Sequence, residues 1–106
     1  MIFATLGSRT KRQLQEEGFR TVDRAVGVLD PGHLTEPFLA PYLRRLPDGP
    51  TEVFFHPADR PAEPLLQMQR GYEHAAELQA LCSPHLRQII NDSGIRLTNF
   101  RELALP

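Results

Sequence analysis

Most of what this sequence lacks narrows its class. It has a single cysteine, Cys82, so no internal disulfide can form and no cysteine zinc motif exists. That argues against a disulfide-built secreted scaffold and for the cytoplasm. Charge of either sign is not in excess: 12 Lys and Arg face 13 Asp and Glu, a formal charge of −1. Nothing in that balance gathers phosphate, so nucleic acid is not an expected partner. No long apolar run occurs; the longest fall far short of the roughly 20 residues of a transmembrane segment. The stretch Met1-Ile2-Phe3-Ala4-Thr5-Leu6-Gly7 has neither the charged leader nor the apolar length of a signal peptide. Nor is the chain long: 106 residues make one domain or part of one. Folding at that size buries only roughly 60–70% of the unfolded surface, which predicts modest stability.

What is present centres on Thr51-Glu52-Val53-Phe54-Phe55-His56-Pro57. The apolar run reads as a buried parallel strand, and Pro57 stops it immediately after a histidine. In open parallel sheets ligands gather beyond the carboxyl ends of the strands, so an imidazole delivered there is a candidate catalytic group. The structural alternative is a histidine that only caps a backbone group.

Helix and strand signals alternate along the rest. Thr5 to Glu17 predicts a helix with Leu6, Thr10 and Leu14 aligned, closed by Gly18 in a left-handed conformation. Ala25-Val26-Gly27-Val28-Leu29 reads as a first buried strand, followed by the turn Asp30-Pro31-Gly32. A second helix is expected from the N-cap Thr35, with Phe38, Leu39, Tyr42, Leu43 and Leu46 inward and Pro41 a potential kink. After the His56 strand comes a proline-rich loop, Ala58 to Pro64. A helix then runs from about Leu65 or Gln69 to Leu81, burying Ala75, Leu78 and Cys82. Ser83 and Pro84 start another helix with Leu86, Ile89 and Ile90 as its stripe. Ile95-Arg96-Leu97-Thr98 is expected as a third strand, and Phe100 to Leu103 as a closing helical turn.

This order predicts an α/β fold, about three parallel strands with flanking helices. Three such strands leave an unpaired edge on each side, the pattern of part of a larger sheet or barrel. Two functions fit. The chain is either one portion of an enzyme completed by other residues, or a non-catalytic binding or assembly module that uses its open sheet edges.

The same residues carry a resemblance. The stretch from Thr51 to Pro57, then Tyr72-Glu73-His74-Ala75-Ala76-Glu77-Leu78, Ser83-Pro84, and Ser93-Gly94-Ile95-Arg96-Leu97-Thr98-Asn99-Phe100-Arg101-Glu102-Leu103 resemble the C-terminal portion of YdjC-like carbohydrate deacetylases. Gly18-Phe19-Arg20-Thr21-Val22-Asp23, Gly27-Val28-Leu29-Asp30-Pro31-Gly32 and Leu46-Pro47-Asp48-Gly49-Pro50 extend the likeness over essentially the whole chain, closest to the hopanoid biosynthesis-associated HpnK branch. The resemblance implies that residues 1–106 are the C-terminal part of a NodB-like β/α barrel. It also implies hydrolysis of the N-acetyl group of an amino sugar with a divalent metal, Mg or Zn. For His56 it implies a catalytic place as general acid toward the leaving amine. Imidazole suits that work, because its ordinary pKa of about 6.5 lets it hold and release a proton near neutrality.

The metal-binding aspartate and histidines of that family, and its acidic base, belong to its N-terminal half, and no Asp-Asp-Gly run occurs here. His33 is expected in a turn. His74 and His85 are expected on helix surfaces, with no second ligand at i+4. Asp23, Asp30 and Glu77 have structural readings: strand start, turn and exposed helix. No metal or cofactor ligand is therefore assigned to this chain, which is expected to be inactive alone. An N-terminal half supplied as a separate chain, or a homo-oligomer, would complete it.

Overall fold

The computed structural model describes residues 2–104, with side chains from residue 6 onward; Met1, part of the N-terminal stretch considered above, lies outside them. The chain forms α1 (Ile2–Glu16), β1 (Arg24–Val26), α2 (Glu36–Arg44), β2 (Thr51–Val53), α3 (Leu65–Met68), α4 (His74–Leu81), α5 (Pro84–Asp92) and α6 (Phe100–Ala104). β1 and β2 pair in parallel, Arg24 opposite Thr51 and Val26 opposite Val53, with α2 as the crossover between them. No helix among the described residues is long and apolar enough to cross a membrane.

The core is the corner where α2 meets α4 and α5. Leu34, Leu39, Ala40, Ala80, Leu86 and Ile89 are buried there, with Val26, Leu43, Val53 and Phe55 packed against them. α5 forms as its sequence dictates: the Ser83 hydroxyl accepts from the Leu86 N–H at 3.2 Å and Pro84 takes the first helical position. α2 continues through Pro41, which lies on the exposed side of the helix. Leu39 of α2 points inward as expected. Phe38 is exposed instead and stacks on Tyr42, with ring centroids 6.0 Å apart.

Four expectations change. β2, expected to carry His56 at its end and to be stopped by Pro57, already ends at Val53. β1 stops at Val26, because Gly27 turns to φ +93° and leaves the extended region. A Cβ there would sit 2.6 Å from the Phe54 carbonyl oxygen and 2.8 Å from Leu34 Cδ1, so glycine is required for the close approach of the two strand ends. Val28 and Leu29 are consequently exposed. The expected third strand, residues 95–98, is irregular. Ile95 N–H bonds back to the Ile90 carbonyl at 3.1 Å, which finishes α5, and the sheet has two strands among the described residues. The helix expected up to Leu81 is divided, α3 ending at Met68 and α4 beginning at His74, with Gly71 at φ +78° between them. Gly18 does follow α1 in the left-handed region, at φ +88°.

Candidate functional site

His56 lies just past β2. The last ladder bond runs from Phe54 N–H to the Val26 carbonyl at 2.8 Å. Beyond it the alternation of the strand persists: Phe55 packs on the core, Phe54 faces out, and His56 is partly buried. With no further strand beside it, the His56 backbone is held by side chains. Its N–H donates to Glu77 Oε1 at 2.5 Å, and its carbonyl accepts from His74 Nδ1 at 2.5 Å. The other Glu77 oxygen, Oε2, accepts the Leu34 N–H at 2.9 Å. Ala58 N–H then bonds the His74 carbonyl at 3.2 Å, so the chain leaving His56 stays against α4.

Both clamping residues come from one face of α4, three positions apart, where helical side chains stand over one another. Glu77 is in the first turn, where the helix dipole favours a carboxylate. Burial of a carboxylate is costly; two N–H groups aimed at it, as charge-assisted hydrogen bonds, offset that cost. A carbonyl can only accept, so His74 carries its proton on Nδ1 in this contact. That leaves His74 Nε2 buried without a partner among the described residues, and the same holds for His56 Nδ1.

Aromatic rings fix the imidazole of His56. Tyr72 meets it edge-on at 5.1 Å, Phe54 lies 5.8 Å away, and Tyr72 also lies 5.6 Å from His74. The loop after β1 closes the other side. The buried Gly32 approaches Tyr72 so closely that a Cβ would fall 2.5 Å from its Cγ, and the Gly32 carbonyl accepts from Glu73 N–H at 2.7 Å. Next to it His33 Nδ1 lies 2.9 Å from Glu73 Oε2, with Asp30 Oδ1 3.8 Å from Nε2. The hydrogen bond to Glu73 raises the His33 pKa above its ordinary value, with the Asp30 charge adding to it against some desolvation.

Two sequence readings are corrected here. His74, expected on the surface, is 3% exposed, and Glu77, expected on an exposed helix face, is 0% exposed. Correspondingly Ala75 and Cys82, expected in the core, are exposed, and Leu78 is partly buried. α4 is turned so that His74, Glu77 and Ala80 face inward, because the loose N–H and C=O groups at the strand ends need polar partners. His33 occupies the turn as expected and His85 is exposed. Asp23 pairs with Lys11 at 2.8 Å, far from the cluster in sequence; that hydrogen bond lowers its pKa. The signal that could have revealed Glu77 is its i, i+3 spacing from His74 on the stripe that ends at Ala80.

Among the described residues no three His, Cys, Asp or Glu side chains gather as a metal ligand set. A catalytic divalent metal takes about three protein ligands, so these residues do not by themselves fit one. No curated protein and no solved structure matches the chain. The family model described as YdjC-like protein matches residues 2–92, a span that includes both strands and every residue of the cluster around His56. The chain belongs to the YdjC-like protein family.

Proposed function

We propose that this chain carries the leaving-group side of a carbohydrate deacetylase, with His56 as the general acid. Membership of the YdjC-like family supports a carbohydrate deacetylase-like function in general. The observation that carries the assignment of His56 is its fixation three residues beyond the C-terminal end of β2. Its N–H and C=O are both held by α4, and its ring rests against Tyr72.

In the proposed reaction water adds to the N-acetyl carbonyl of an amino sugar, the C–N bond breaks, and acetate departs. The nitrogen leaves as an amine once it receives a proton, which His56 supplies. A proton donor of this kind normally has its second ring nitrogen oriented by another group. His56 Nδ1 has no such partner among the described residues and is itself buried, so the ring is oriented here by Tyr72 and Phe54; the rest of the site would come from residues outside these 106. The divalent metal, its ligands and the base that activates water would belong to those residues, and the chain would be inactive by itself. In this proposal the chain is the C-terminal portion of a NodB-like barrel, works in the cytoplasm, and acts on an amino sugar carried by a hopanoid, as in the HpnK branch.

The test joins the chain to a polypeptide bearing the metal ligands and follows acetate release from an N-acetylated amino sugar. His56→Ala should lower kcat by roughly 10²–10⁴-fold, with substrate binding little changed. His85→Ala, on the exposed face of α5, should be nearly silent. Equal rates for parent and His56→Ala would reduce His56 to a structural cap. One observation favours the second reading, an assembly module: Val28, Leu29 and Phe54 expose apolar surface around the strand ends. That reading predicts a concentration-dependent oligomer in light scattering and no acetate release in any pairing.

A further inference from the structure

The geometry assigns Glu77 as a positioning residue for the proposed reaction: it sets the place of His56 through the backbone, without touching the ring. The inference rests on the proposed role of His56 as proton donor. Within a wider sheet, the N–H and C=O of a residue in this place would pair with a neighbouring strand. Here the ladder ends at Phe54, and Glu77 and His74 take over both groups two residues later. The carboxylate also does what a strand could not. Its second oxygen holds the Leu34 N–H, so one side chain ties the loop after β1 to the end of β2. The separation of the two loops that wall the site is thereby fixed by one rigid, planar group.

Among the described residues Glu77 makes no salt bridge; two backbone N–H groups donate to it. A carboxyl group at 0% exposure is a poor choice where packing alone is needed. Its two oxygens are instead matched to two N–H donors that both belong to loops of the site. With the backbone fixed, the His56 ring keeps only its side-chain rotations, and the Phe54 and Tyr72 rings confine those.

Glu77→Gln isolates the function. The volume is kept, but the amide offers one oxygen and one NH2 group, so one of the two N–H donors loses its acceptor. In isotope-labelled full chain, nuclear Overhauser contacts between the His56 and Tyr72 rings should be strong in the parent and weaken in the variant. The His56 side chain should show rotamer averaging, while the Leu86 and Ile89 methyl signals stay in place. In the completed enzyme kcat should fall on the order of 10²-fold, as misplacement of a reacting group by about 1 Å does, with KM unchanged. Glu77→Asp keeps the charge but shortens the arm, should act in the same direction, and serves if the glutamine variant does not fold. A folded variant of either kind with parent-like His56 ring contacts overturns the inference. Failure of both variants to fold overturns it too, in favour of a purely structural carboxylate. The two proposals fail separately. Full turnover by His56→Ala removes the proton donor but leaves the ring measurement standing. A large His56→Ala loss beside an unchanged kcat for Glu77→Gln removes only the task given to Glu77.

Discussion

The corner of α2, α4 and α5 and the two ends of the chain are made of similar segments with opposite fates. All carry apolar residues at helical or alternating spacing. In the corner Leu39 is 2% exposed, whereas Leu6 on α1 is 53% exposed and Leu97, in the segment expected as a strand, is 67% exposed. The comparison separates two kinds of information in an amphipathic pattern. Periodicity tells which face of a segment seeks burial; whether that face is covered depends on a partner elsewhere in the fold. α2 finds α4 and α5, and the site is built on that supported corner. α1 is tied to the start of β1 through Lys11 and Asp23.

The sharpest way to break this contrast is to remove a leucine from each region. Leu39→Ala should cost about 2–5 kcal/mol, since it deletes a fully packed core side chain and leaves a cavity. Leu6→Ala should change stability by about 0.5 kcal/mol or less, as exposed substitutions do. Urea unfolding of both variants decides it. Similar midpoints would mean that α1 is covered in solution, by a second copy or by a partner.

Gly27→Ala tests the junction between the strands and the corner. The positive φ alone strains alanine by about 1–3 kcal/mol, and the new methyl would press on the Phe54 carbonyl and on Leu34. The expected result is a loss at or above the upper end of that range, together with shifted amide signals at Phe54 and His56. A neutral effect would show that the two strand ends are not held this close.

The parts of the fold that could be read from the sequence are those set by local chemistry. Ser83-Pro84 marks the start of α5, Gly18 follows α1, and the run from Thr51 gives β2, although the strand ends at Val53, three residues before His56. What could not be read depends on long-range partners. Gly27 looks like an ordinary strand glycine until Phe54 and Leu34 are seen against it. Residues 95–98 alternate correctly, but a strand also needs an edge to pair with. Along α4 the stripes 74/77/80 and 75/78/82 compete, and apolarity favours the second. The first is buried because Glu77 and His74 satisfy backbone groups of His56 and Leu34, far from them in sequence. Polar burial of this kind cannot be inferred from hydrophobic periodicity.

The smallest expected effects come from the His33–Glu73 and Lys11–Asp23 pairs, and their pH dependences run in opposite directions. His33 has its pKa raised by the hydrogen bond to Glu73. The stability it contributes is fully present below its ordinary value of about 6.5 and is lost as pH rises through the raised folded value. Asp23 has its pKa lowered by its hydrogen bond to Lys11. Its contribution is present above the ordinary value of 3.8 and disappears as pH falls through the lowered folded value. Both pairs are partly solvent-exposed, so each effect should be slight and should shrink as salt is added. Their locations make them informative. His33 and Glu73 join two loops of the site, so His33→Gln should remove the mild decline of the unfolding midpoint above pH 6.5. Lys11 and Asp23 join α1 to the start of β1, so Asp23→Asn should leave that midpoint nearly unchanged and instead speed amide hydrogen exchange within α1. Persistence of the decline in His33→Gln would assign it to another group. Unaltered exchange in Asp23→Asn would mean that α1 is held by something stronger than this pair.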